Sequence, residues 1–266
     1  MRLGAAGGRL SRLLPALLLA VPLAFAATAA VDGPLGSAQA SPLELVPAYF
    51  SPEGSPDPWR VMCESAPVGS TVIVNPNNGP VKRQAKAYAE SISRCEEHGQ
   101  RVIGYVFTKY GKRRAPAVEK AIAHYYAWYP GVEGIFLDEM AEVPSAKVET
   151  YYRQLTSYVH EKGGFVVGNP GDTATTPWQL GAVDQVVTFE GPSAAYATYT
   201  PAPWVLTAAS GQIANIVFAA SEADMEADCA KAEADNAGSV YVTNLPEHPN
   251  PYATLPSYWS AETARC

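Results

Sequence analysis

The feature that most constrains this chain is a strand-sized apolar run followed by a helix-sized stretch, repeated eight times. The β-rich runs are Leu43–Phe50, Thr71–Asn75, Arg101–Thr108, Gly134–Asp138, Phe165–Asn169, Gln185–Glu190, Asn215–Ala219 and Ser239–Thr243. Most are near-continuous apolar segments, as strands buried on both faces read. Helical stretches are clearest at Val81–His98, Pro116–Tyr129, Ser145–Lys162 and Ala223–Ala237. Gly99, Gly131, Gly163–Gly164 and Gly238 follow them, where a left-handed C-terminal cap is wanted. Pro116 stands near a helix start, where its missing donor does no harm. The segments after the first, fifth and sixth runs are short and do not read as full helices. Eight alternations predict an α/β fold closed into a single (β/α)8 TIM-like barrel over residues 43–266. An open doubly wound sheet would want a Gly-rich phosphate turn after its first strand, and that strand runs instead into PAYFSPEGSP.

The N-terminus predicts export. Arg2, Arg9 and Arg12 precede an apolar run from Leu13 to about Ala30, and A-x-A exits end at Ala26, Ala29 and Ala40. An uncleaved anchor helix is the alternative reading of such a run. The repeated exits favour a signal peptide over residues 1–30, with cleavage as late as residue 40 and a flexible leader over 31–42. The expected product is a secreted protein with no stable membrane insertion, and a monomer. Removing residues 1–30 takes three of the 19 basic residues and none of the 26 acidic ones, moving the formal charge from −7 to −10. That balance argues against nucleic acid as a partner, because phosphate binding needs a basic face.

Four cysteines, Cys63, Cys95, Cys229 and Cys266, predict two disulfides in an exported chain. Three pairings are possible, and chain order favours Cys63–Cys95 with Cys229–Cys266. No C-x-x-C occurs and the four histidines are scattered, so no metal site is read and no cofactor is called for.

Chemistry gathers at the carboxyl ends of the apolar runs, which in a barrel form the active face. The fourth run, GIFLDEM, ends on Asp138 and Glu139; the sixth, VVTFE, ends on Glu190. Inward side chains of alternate strands share a layer, so these acids can face one cleft, and paired carboxylates are the minimal equipment for cleaving a glycosidic bond. Around them the strand ends supply Tyr49, Asn75, Tyr105, Thr108, Lys109, Tyr110, Asn169, Ser221, Asn244 and Tyr252. Amides, hydroxyls and aromatic faces of this kind suit a sugar, so a polysaccharide substrate is expected. Bland readings stand beside these. Asn75–Pro76 and Asn169–Pro170 are also turn signals, most of the fifteen tyrosines must pack, and His124 in AHYYAWYP reads as packing.

Six segments together resemble the spherulin-4 (spherulation-specific) family. They are LVPAYF, VIVNPNNGP, GYVFTKYGKR, WYPGVEGIFLDE, GNPG and PNPYATLPSYW, spread over almost all of the expected mature chain. The resemblance implies a (β/α)8 barrel related to secreted endo-acting glycoside hydrolases of α-1,4-linked N-acetylgalactosamine exopolysaccharide. It also implies catalytic roles for acids that fall here on Asp138, Glu139 and Glu190. One departure stands out: a histidine expected after the seventh strand core is replaced in NIVFAAS, with Phe218 near that place. The resulting expectation makes Glu190 the general acid/base with a raised pKa, Asp138 a nucleophile or oxocarbenium stabiliser kept ionised by hydrogen bonds, and Glu139 a group that positions the substrate or tunes Asp138. A carboxyl separation of about 5–5.5 Å would give retention, the outcome expected here, and about 6.5–9.5 Å inversion.

Overall fold

The computed structural model describes residues 41–174 and 176–266, so the predicted signal peptide and nearly all of the leader lie outside the described residues. Eight strands close into a barrel in chain order: β1 (Leu43–Ala48), β2 (Thr71–Val74), β3 (Arg101–Phe107), β4 (Val132–Asp138), β5 (Phe165–Gly168), β6 (Gln185–Pro192), β7 (Ile213–Phe218) and β8 (Ser239–Val242). Every neighbouring pair is parallel, and β8 returns to β1 through Leu43 opposite Ser239. This is the (β/α)8 barrel that the alternation predicts. Strands such as TVIV and IANIVF are buried at every position because the interior covers one face and the helices the other.

The helical layer comprises α1 (Pro58–Ser65), α2 (Lys86–Glu97), α3 (Ala115–Trp128), α4 (Ala146–His160), α5 (Ser193–Tyr196), α6 (Pro203–Thr207), α7 (Glu222–Ala234) and α8 (Trp259–Arg265). The short segments resolve in different ways. The one after β1 forms a full two-turn helix, started by Asp57, whose carboxylate accepts from the Trp59 and Arg60 backbone N–H groups. The one after β5 holds only a 3-10 turn, Pro177–Gly181, and the one after β6 forms the two short helices α5 and α6.

Two sequence expectations are corrected. The second helix begins at Lys86, five residues later than Val81. The intervening chain is held as a loop: the Gln84 amide donates to Trp128 O (2.5 Å) and the Ala85 N–H to the Tyr129 hydroxyl (3.2 Å). The glycine caps are also divided. Gly99 (φ +83°) and Gly163 (φ +74°) adopt the left-handed conformation, but after α7 it is Asn236 that does so (φ +69°). Gly238 serves close approach instead, since a Cβ there would sit 2.5 Å from the Ser210 carbonyl oxygen.

The disulfides are Cys63–Cys95, joining α1 to α2, and Cys229–Cys266, joining α7 to the residue after α8. The last helix reaches the first across the closure of the barrel, where Trp259 Nε1 donates to Ser65 Oγ at 2.8 Å. Near the active face, β6 shifts register against β7 between Val187 and Phe189 and continues to Pro192. Glu190 is therefore set within a paired strand, opposite Ile216, rather than past its end.

Candidate active site

Three successive strands build the centre of the site. Asp138 is the last residue of β4 and faces the same cavity as Phe136, two residues earlier, as strand alternation requires. Asn169 follows β5, and Glu190 projects from β6. The Asn169 side chain joins the two acids: Nδ2 donates to Asp138 Oδ1 at 2.9 Å and to Glu190 Oε2 at 2.6 Å. Its Oδ1 accepts from Gly171 N at 3.0 Å, fixing the amide orientation. Turn duty and contact with the acids are thus carried by opposite ends of one side chain. Because a single nitrogen touches both acids, those two oxygens can be no further apart than the two bond lengths laid end to end, about 5.5 Å.

The outer oxygens are held by phenols. Tyr105 donates to Asp138 Oδ2 and Tyr252 to Glu190 Oε1, each at 2.5 Å, the length of charge-assisted O–H···O⁻ bonds. Tyr49 stands between the two phenols, its ring edge-on to Tyr105 (5.4 Å between centroids) and to Tyr252 (5.2 Å). The Asp138 carboxyl lies deep in this layer. Burial pushes its pKa up to about 6 and the Glu190 charge adds to the rise, while hydrogen bonds from Tyr105, the Glu139 backbone and Asn169 pull it down. Those bonds favour the ionised form, as the sequence led one to expect, against the larger effect of burial. The balance leaves Asp138 ionised at neutral pH and protonated in mild acid.

Glu139 lies just past the strand end with φ +49°, a conformation uncommon outside glycine, and the turn brings it to the cavity beside Asp138. The strain is held by Thr108, whose hydroxyl donates to Glu139 O (2.7 Å), and by the Tyr110 N–H, which donates to the same oxygen (2.7 Å). Lys109 (φ +55°) and Tyr110 (φ +54°) are bent the same way on the facing loop.

The cavity measures about 440 Å³ and is lined by Tyr49, Tyr110, Asp138, Glu139, Asn169, Glu190 and Tyr252, among others. Tyr105 lies behind it, acting on Asp138. The remaining residues collected from the sequence are placed elsewhere. Asn75 accepts from Gly79 N within its own turn, Asn244 accepts from Ser257 N, and Ser221 caps α7 in a capping box with Asp224. Thr108 is buried among backbone carbonyls, and the exposed Lys109 does not line the cavity. His124 stacks on Trp128, as packing predicts. The structure adds Glu247, Phe136, Ile216 and Phe218 to the lining. Glu247 lies in an irregular loop after β8, with no strand end to flag it, and Phe218 stands near the place where the family resemblance leads one to expect a histidine. The lining contains four carboxyl side chains and no Lys, Arg or His among the described residues.

Among the described residues, one group of side chains is close enough to hold a metal ion, formed by Glu44, Glu262 and Cys266. The Cys266 sulfur is committed to its disulfide, and none of the three lines the cavity. No described helix is long and apolar enough to cross a membrane.

A closed eight-stranded parallel barrel with paired carboxyls at the strand ends is a glycoside-hydrolase-like fold. Within that class, this chain belongs to spherulation-specific family 4, whose family model matches residues 45–265. Spherulin-4 of Physarum polycephalum is 30% identical over 234 residues, covering 83% of this chain and 68% of that protein. The crystal structure of Aspergillus clavatus Sph3 in complex with GalNAc superposes with a TM-score of 0.73 at 26% identity, covering 84% of this chain and 96% of that one. A chitinase from Chromobacterium violaceum shares the fold, with a TM-score of 0.52 at 13% identity over 84% of this chain and 98% of its own.

Proposed function

We propose that this protein is an exported endo-glycosidase that hydrolyses an amino-sugar exopolysaccharide of the α-1,4-N-acetylgalactosamine type. The observation that carries the reading is the Asn169 bridge, which sets Asp138 and Glu190 side by side in a cleft open to solvent. Sph3, similar over most of this chain, was crystallised with GalNAc bound, which supports an N-acetylated hexosamine as the unit recognised. Export is supported by the signal-like N-terminus and by two disulfides, which persist in oxidising compartments.

Asp138 is the nucleophile in this scheme. Three donors converge on its carboxylate, and it is ionised above a pKa of about 6. The productive form is the one in which Asp138 is ionised and Glu190 holds a proton. Glu190 gives that proton to the leaving glycosidic oxygen and then activates water as its conjugate base, while Tyr252 lies against its outer oxygen. Glu139 and Tyr110, on their strained loops, position the sugar. A spacing no greater than about 5.5 Å between facing oxygens suits a covalent intermediate and therefore retention.

The test is digestion of N-acetylgalactosamine and deacetylated galactosamine polymers, with released oligosaccharides read by mass spectrometry. Wild-type protein should release oligosaccharides, and Glu190→Gln and Asp138→Asn should lower the rate by about 10²–10⁴-fold. Equal release by all three proteins would mean that other groups carry the chemistry.

A second reading is favoured by Phe218, which lines the cavity near the place where the family resemblance leads one to expect a histidine. It makes the protein a non-catalytic polysaccharide-binding envelope protein. It predicts no product from any polymer and sugar affinity that survives Glu190→Gln.

A further inference from the structure

A second cavity of about 530 Å³ abuts the catalytic one, and the two share a wall, the ring of Tyr49. On its far side the lining includes Ser51 and Glu53 from the loop after β1, and Lys86, Ala87 and Tyr88 from the start of α2. Its size falls within the range of small-molecule sites, and its walls mix aromatic rings with polar tips. Tyr88 packs its ring edge-on against buried Trp59 (6.0 Å, 89°). Tyr49 itself has its hydroxyl among the Asp138 and Glu190 charges, which with burial push its pKa well above the usual value. That hydroxyl makes no hydrogen bond to another described residue, leaving it free to meet a sugar hydroxyl.

We infer that this second cavity is a distal sugar subsite, which takes the next units of the polysaccharide chain whose scissile linkage lies at Asp138 and Glu190. The inference rests on the hydrolase reading for its choice of polymer and on the lining residue Tyr49 common to both cavities for its place. An enzyme that cuts within a chain must let that chain continue past the cleaved bond. Here Tyr49 lines both the catalytic cavity and the second one, which places the second space next to the first on the active face. Tyr88 offers a face to the apolar side of a sugar ring, and Ser51, Glu53 and Lys86 offer acceptors and donors to its hydroxyls and amide.

Calorimetric titration with α-1,4-N-acetylgalactosamine oligosaccharides of increasing length tests this, using Glu190→Gln protein so that no ligand is consumed. Two further changes are each added to that background: Tyr88→Ala, which removes the wall, and Ala87→Trp, which fills the space. Affinity of the parent should rise with chain length and then level off. Both added changes should abolish the rise, weakening the longer oligosaccharides about tenfold or more while leaving the shortest unchanged. The unchanged shortest ligand also certifies that each variant is folded. Equal affinity for every length in all three proteins would overturn the subsite and leave the hydrolase reading standing. A length dependence lost in both variants, with no product formed by wild-type protein, would keep the subsite and overturn the hydrolase reading. Failure of every oligosaccharide to bind the parent would overturn both.

Discussion

Asp138 shows how opposing influences set the working state of a single side chain. Burial and the Glu190 charge raise its pKa, and three hydrogen bonds lower it, to a balance at about 6. Under the proposed function, with Asp138 as nucleophile, kcat/KM should therefore rise with pH through about 6 as that carboxyl ionises. Tyr105→Phe removes a donor that favours the anion, so the acid limb of the profile should move to higher pH while the limiting rate falls severalfold. A profile that instead falls above pH 6 would give Asp138 the role of general acid. The sequence marked this residue well, because an acid closing an apolar strand is conspicuous. It could not mark the sign of the pKa shift, which is set by burial in the closed barrel and by the Glu190 charge from β6, against the hydrogen bonds from Tyr105 and Asn169. Nor could it separate Asn169 from Asn75, since both precede proline at a strand end. Only Asn169 has its amide nitrogen within reach of the acids, while the Asn75 oxygen closes a local turn.

The C-terminal helix α8 brings one acid, Glu262, against Glu44 of β1, a second acid pair with a structural consequence. Glu44 of β1 and Glu262 of α8 are both fully buried, and Glu262 Oε1 accepts from Val242 N at 2.6 Å. The buried Tyr241 of β8 lies near enough to feel both charges. Burial pushes Glu44 up to about 8 and, with the Glu44 charge, raises Glu262 well above the carboxylate range. The folded state therefore holds protons that the unfolded chain gives up. The stability this contributes is fully present below about pH 4.5 and is lost as pH rises through about 8. Glu44→Gln should flatten that slope and make the protein more stable than wild type at pH 8.5, by on the order of a few kcal/mol. Thermal unfolding at pH 5 and pH 8.5 checks it, and identical slopes would show that the pair does not titrate in this window. The Cys229–Cys266 bond ties the end of the same helix to α7 across a sequence separation of 37. Loop-closure entropy makes its removal in Cys266→Ser cost about 4 kcal/mol, measurable as a lowered midpoint in denaturant.

For the molecule as a whole, the barrel was legible because its strands are continuous apolar runs at even spacing, a pattern set by burial on both faces. The helices were legible where they are long. They were not where a 3-10 turn or two short helices complete the crossover, since such segments carry less than two turns of periodicity. The site was legible as a set of strand ends and not as a cavity. Glu247 comes from an irregular loop, and the wall that Tyr49 gives to two cavities depends on loops folding towards one another. What the assembled barrel adds is distance. Strands β4 and β6 are separated by β5 alone, and Asn169 at the end of β5 spans the gap, limiting two facing carboxylate oxygens to about 5.5 Å. Under the proposed function, an upper bound of this size favours retention.

The anomeric configuration of the first-formed product tests this most directly. Proton NMR during digestion of an α-1,4-N-acetylgalactosamine oligosaccharide by wild-type protein should show the α-anomer first, with the β-anomer growing in by mutarotation, and no signal from Glu190→Gln. Initial appearance of the β-anomer, or no hydrolysis by the wild type, would contradict the proposal that Asp138 and Glu190 act as a retaining pair.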